Sequence, residues 1–122
     1  MRTSRTWKVQ VAAAAERDFH EIIRWTRSRF GQDQARIYSA MLMSALRALR
    51  AGPRTPGVRA RSELGDNLYT LHAAHGGRRA RHLILFRISE APSVVEVLRF
   101  LHDAMDLARH LPREISDEEG ST

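Results

Sequence analysis

The chain has no cysteine among its 122 residues. That excludes disulfides, thiolate metal sites and cysteine nucleophiles, and fits a reducing compartment such as the cytoplasm. Lysine is almost missing too. Lys8 is the single lysine beside 19 arginines. No apolar run approaches the roughly 20 residues a membrane helix needs. The basic start, Met1-Arg2-Thr3-Ser4-Arg5, is followed only by Ala12 to Ala15, too short and too weakly apolar for a signal peptide. There is no phosphate-cradling glycine loop, no serine–histidine–acid arrangement and no pair of catalytic carboxylates. No cofactor is implied.

What is present is a basic, well-filled globular composition. Twenty Lys and Arg oppose 14 Asp and Glu, a formal charge of +6, and 43% of residues are hydrophobic. Such a surplus implies an anionic partner, either nucleic acid or an acidic protein segment. Arginine suits this task because its planar fork meets carboxylate and phosphate with two bonds. The length predicts one domain over residues 1–122, with a core over about 6–112 and a polar tail over 113–122.

The order of elements follows from periodicity. Trp7, Val9 and Val11 alternate with Lys8 and Gln10, which predicts a half-buried strand over 6–12. Ala15, Phe19, Ile22, Ile23, Thr26 and Phe30 recur at helical spacing, with Gly31 at the C-cap. Asp33 is positioned to cap a second helix, whose apolar face is Tyr38, Met41, Leu42, Ala45, Leu46 and Leu49. About three residues join the two, making an antiparallel helical hairpin. A basic loop over 51–66, with Arg54, Arg59 and Arg61, precedes three strands at 68–73, 81–88 and 94–101. The breaks at Gly76-Gly77 and Ala91-Pro92-Ser93 are short enough for hairpins. The last two strands are almost continuously apolar, so both faces should be covered. A short amphipathic helix from Asp103 to Leu111, stopped by Pro112, closes the pattern. The fold class is therefore α+β: an N-terminal strand, an antiparallel helical hairpin packed on a small sheet with a three-stranded antiparallel meander, and a short C-terminal helix.

Three segments carry a family resemblance: Ala15-Glu16-Arg17-Asp18-Phe19, Arg81-His82-Leu83-Ile84-Leu85-Phe86-Arg87-Ile88, and Leu98-Arg99-Phe100-Leu101-His102 through Met105-Asp106-Leu107-Ala108-Arg109-His110-Leu111. Over roughly residues 6–112 the chain resembles the ParE branch of the RelE/ParE toxins, the toxin halves of bacterial toxin–antitoxin pairs. The resemblance implies a cytoplasmic growth-arresting protein that serves plasmid stabilisation. Its implied partners are a ParD-like acidic antitoxin that folds on binding and DNA gyrase as target. Operator DNA is reached only through the antitoxin, and no membrane is involved.

The superfamily divides by chemistry. Members that cut messenger RNA need a group to deprotonate the 2′-hydroxyl, cations around the phosphate, and an acid for the leaving oxygen. The pieces of that set here are Arg81, Arg87, Arg99 and His102. Leu83 stands where a cleaving member carries a base, and Asp103 follows His102 where some carry tyrosine. Both departures favour the gyrase-inhibiting branch, with no catalytic residues. The target surface is then Arg78, Arg79, Arg81, Arg99, His102, Arg109 and His110. The antitoxin surface is Trp25, Tyr38 and Met41, Trp25 lying off the main apolar face of its helix.

The remaining polar residues have ordinary readings. His102 is placed to cap the helix at Asp103. Asp103 and Asp106 complement the helix dipole at its start, with Arg109 and His110 at its end. His72, His75 and His82 read as surface histidines without metal-ligand spacing. Met41-Leu42-Met43 reads as core.

Overall fold

A computed structural model describes residues 6–73 and 80–104. Residues 74–79, with Gly76 and Gly77, and residues 105–122, with most of the predicted C-terminal helix and the tail, lie outside the described residues.

Among the described residues two helices pack on a mixed five-stranded sheet. Strand β1 is Lys8–Val11 and is followed by helices α1 (Ala13–Phe30) and α2 (Gln32–Ala48). A 3-10 turn over Leu49–Arg54 leads to β2 (Arg59–Ala60), β3 (Leu68–His72), β4 (His82–Ser89) and β5 (Val94–His102). The sheet order is β1-β5-β4-β3-β2. The meander is antiparallel, as its short connections require, but β1 lies parallel to β5, with Lys8 opposite Val94 and Val11 opposite Val97. No described helix is long and apolar enough to cross a membrane.

The hairpin is tighter than its sequence indicates. Gly31, at φ +94°, donates its N–H to the Arg27 carbonyl (2.9 Å) and also opens α2, so one residue joins the helices. A left-handed backbone suits glycine, which turns the chain at once. Asp33 therefore does not cap α2. It falls inside the first turn and pairs with Arg36, while its charge still complements the helix dipole.

The segment after α2 is not the plain loop its composition indicates. Gly52 sits at φ +64° against Trp7, where a Cβ would come within 2.4 Å of the indole nitrogen. The buried Thr55 hydroxyl lies 2.7 Å from the Gly52 carbonyl and 2.9 Å from that of Ala48 as their donor. These bonds hold a kinked 3-10 segment over Leu49–Arg54, broken at Gly52, and β2 then pairs with β3 through Arg59 and Thr70.

The core has two parts. Between helices and sheet lie Leu42, Ala45, Leu49, Ile84, Phe86, Val95 and Val97, with Phe100 close by. On the other face a leucine cluster joins Leu64, Leu68, Leu83, Leu85, Leu98 and Leu101. Both faces of β4 and β5 are thus covered, and each buried side chain contributes about 1.5–3 kcal/mol. A register shift places Leu85 opposite Arg99 but Phe86 opposite Val97, leaving Leu98 as an extra residue in β5. A bulge of this kind resets the alternation. It lets Val95, Val97 and Phe100 all join the helix-side core, while Leu98 turns to the other face. Met41 and Leu42 are core as read, whereas Met43 is 43% exposed.

Candidate functional site

Three histidines meet at one end of the sheet. His82 begins β4 and lies directly opposite His102 at the end of β5; His72 ends the neighbouring β3. The rings of His82 and His102 meet edge to face at 5.5 Å. From α2, Tyr38 reaches over this end and its hydroxyl lies 2.6 Å from His82 Nδ1.

The Arg81 backbone N–H donates to the Tyr38 hydroxyl (3.1 Å), so that hydroxyl is free to direct its own proton to His82 Nδ1. His82 is then neutral at Nδ1. Burial, and next the adjacent His102, lower its pKa from 6.5 to about 4. Burial likewise pushes the Tyr38 hydroxyl above its usual range, against the opposing bond from Arg81.

His102 Nδ1 accepts the Ala104 N–H at 3.1 Å; the helix it was expected to cap lies outside the described residues. That bond needs an unprotonated Nδ1, so the 3.6 Å approach of Asp103 Oδ1 to the same atom is no ion pair in this state. Asp103 instead meets His72 Nε2 at 3.0 Å, and its N–H donates to the Arg81 carbonyl (2.8 Å). The His72 bond holds the Asp103 carboxyl below its usual range.

Beside this polar cluster a groove of about 1130 Å³ runs between the helical hairpin and the sheet end. Trp25, Tyr38 and Met41, chosen from the sequence as one surface, all line it, and Arg81, His82 and His102 border it as well. Trp25 is 55% exposed, meets Phe30 edge to face at 5.8 Å, and carries the Arg29 guanidinium over its ring at 5.7 Å. Phe30 and Ile37 are likewise exposed along the groove.

The four residues of the cleavage set do not converge. Arg81 and His102 share the groove. Arg87 lies five residues further along β4 than His82, about 16 Å away at strand rise, in register with Glu96. Arg99 turns to α1 and grips Asp18 with two bonds, Nε to Oδ2 at 2.6 Å and Nη2 to Oδ1 at 2.9 Å. Asp18 Oδ2 also accepts the Phe100 N–H at 3.0 Å. The Asp18 bonds raise the Arg99 pKa further. Leu83 is buried in the leucine cluster, facing away from the groove. Of the target-surface residues, Arg78, Arg79, Arg109 and His110 lie outside the described residues, as does His75. Among the described residues no three potential ligands are placed to hold a metal ion.

Sequence reading missed two participants. His82 reads as a surface histidine, yet it is half-buried and bonded to Tyr38. Its register opposite His102 was the available signal. Asp18 sits on the helix face next to Phe19, and only the fold brings it to a partner 81 residues away.

The arrangement of two helices on a mixed five-stranded sheet is that of the ParE and RelE toxins. It is similar to a structure of the chromosomal ParDE system from P. aeruginosa, at TM-score 0.65 and 15% identity, covering 81% of this chain and 98% of that one. It is also similar to the toxin–antitoxin complex RelBE2 from Mycobacterium tuberculosis, at TM-score 0.53 and 23% identity, covering 80% and 98%. No curated protein matches the sequence. Residues 9–107 match the family described as ParE toxin of type II toxin-antitoxin system, parDE, and the chain belongs to that family. It is a type II toxin of the ParE/RelE superfamily.

Proposed function

We propose that this toxin acts by binding DNA gyrase and does not cut RNA. One observation carries the reading. Two of the positions that would neutralise a scissile phosphate are unsuited to it: Arg99 is engaged by Asp18, and Leu83 is buried among leucines. A leaving 5′-oxygen near His102 would also face the Asp103 carboxylate. In cells, held in the cytoplasm as one folded unit, the toxin is silenced by an acidic ParD-like antitoxin. Its helix lies in the groove of Trp25, Tyr38 and Met41, and operator DNA is bound only through it. Arg81 and His102, with Arg78, Arg79, Arg109 and His110, then form the gyrase-facing surface; Arg99 supports that surface through the fold.

The ribonuclease reading has one observation in its favour. Tyr38, His82 and His102 stand beside Arg81, so proton-transfer groups and one cation share a rim. Induction without antitoxin separates the two. Chromosome breaks and loss of supercoiling, with messages intact, are the expected result. Messages cut at discrete sites on ribosomes, with intact DNA, would reverse the assignment.

A further inference from the structure

Two ring nitrogens at the histidine end of the groove have no partner among the described residues. His102 Nδ1 accepts the Ala104 N–H, so a neutral His102 carries its proton on Nε2. His82 Nδ1 faces the Tyr38 hydroxyl, whose proton is free to go to it, and a neutral His82 then holds its own proton on Nε2. Neither Nε2 meets an acceptor among the described residues. No buried side-chain nitrogen there lacks a partner, so both Nε2 atoms, on half-buried rings, are open to solvent. Both rings line the groove, and so does the exposed Arg81, which is in no ion pair among the described residues. Elsewhere the groove is walled by Ile22, Trp25, Phe30, Ile37 and Met41.

The titratable and charged groups around His82 come from every element packed on it. Tyr38 reaches it from α2, His102 and Asp103 from the end of β5, and His72 from β3. Asp103 is bonded to His72, and Asp18, on α1, is held by Arg99 and the Phe100 N–H. Glu21 lines the groove from α1, and its charge bears on Arg99. Burial beside a second imidazole leaves His82 reluctant to charge, with a pKa of about 4. Two N–H donors and one guanidinium thus border the same end of the groove, while Asp18 and Asp103 are engaged elsewhere.

We infer that this end of the groove is a carboxylate receptor that takes up a proton from solvent as the antitoxin binds. One carboxylate of the segment filling the groove accepts from His82 Nε2, His102 Nε2 and Arg81, and its apolar side chains lie against Trp25, Ile37 and Met41. A carboxylate in contact with an imidazole favours the charged ring and lifts its pKa by about 1–3. A phosphate offers the same charge but no side chains for the apolar walls. The inference rests on the toxin–antitoxin reading. Arg81 and His102 also belong to the proposed gyrase-facing surface, so the carboxylate silences them by occupying them.

The test uses the chain co-expressed with the product of the adjacent upstream reading frame, purified as the complex. His82 and His102 are titrated by NMR in the complex, and affinity is measured from about pH 7 down to about pH 5. The expected result is a His82 midpoint above about 5, and binding about threefold tighter at the acid end. In His82→Gln/His102→Gln the amide oxygens replace Nδ1 and the amide N–H groups replace Nε2–H, but neither side chain can charge. That variant should form the complex and lose the pH dependence, a result that a merely structural role does not give. Arg81→Gln should weaken binding about tenfold at neutral pH.

A His82 midpoint that stays near 4 in a stable wild-type complex, with affinity unchanged by pH, overturns the receptor and leaves the toxin reading standing. So does a pH dependence that survives in the double glutamine variant. So do ring signals that inorganic phosphate or an oligoribonucleotide shifts while the antitoxin leaves them unmoved. Failure of the wild-type chain to form any complex overturns both.

Discussion

Removing the Asp18 carboxylate should cost far more than its surface position in sequence implies. Asp18 accepts two bonds from Arg99 and one from the Phe100 N–H, with side chains 12% and 27% exposed for Asp18 and Arg99. In Asp18→Ala the guanidinium stays largely covered without its counter-charge, and a strand N–H loses its acceptor. A fully buried pair broken on one side costs about 3–5 kcal/mol. Partial exposure of Arg99 lets water compensate, so about 3 kcal/mol is expected. Arg99→Met should cost less, about 2 kcal/mol, because Asp18 keeps the Phe100 N–H. The double variant should cost about 3 kcal/mol, not the sum, for a coupling of about 2 kcal/mol. Urea unfolding followed by circular dichroism measures all three. At a slope of about 1.5 kcal/mol/M, Asp18→Ala lowers the midpoint by about 2 M. Strictly additive costs, or a loss below about 0.5 kcal/mol for Asp18→Ala, would refute the claim that this pair ties α1 to β5.

Three further outcomes follow from the site and the fold. His82 has a depressed pKa, so the native state resists its protonation: stability is complete above pH 6.5 and falls as pH drops toward 4, by at most about 3 kcal/mol. A His82 NMR titration midpoint above 6 contradicts this. Gly52→Ala should cost about 2–4 kcal/mol, from the left-handed φ and the clash with Trp7; a variant that melts like the parent refutes it. His102→Ala should leave toxicity within a few-fold, since an acid–base residue contributes about 100-fold or more. A loss of that size in a folded variant, with cut messages in the parent, would establish the ribonuclease.

Periodicity carried most of the fold. The helical face from Ala15 to Thr26 and the alternation from Trp7 to Val11 are short-range signals, and both elements stand where they predict. The errors arose where one residue's backbone overrides composition. Gly31 turns the chain by itself, which moves Asp33 from cap to first turn. Thr55 bonds convert part of a Pro- and Gly-bearing loop into a 3-10 turn. The site was less legible than the fold because its contacts are long-range. Trp25, Tyr38 and Met41 share a face through helical spacing and could be grouped from sequence. Arg99 could not be distinguished from Arg81 by type or neighbours, yet one faces a carboxylate on α1 and the other rims the groove. The bulge at Leu98 decides much of that difference, and no pattern in an apolar strand announces it.

The parallel pairing of the first strand with the last has a temporal consequence. Residues 8–11 have no ladder partner until 94–97 are available, 86 positions later in the chain. Closing so long a loop costs about 2.5 kcal/mol more than closing a five-residue turn. The meander is local and should assemble first, with β1 arriving last. On a translating ribosome, β1 therefore waits, exposed, until almost the whole chain has emerged. A toxin built this way stays incomplete while it is being made, and a nascent chain halted before residue 94 should be harmless. Pulse-labelled amide exchange during refolding would show the order directly: protection at Ile84 and Phe100 before Gln10, or the reverse if the idea is wrong.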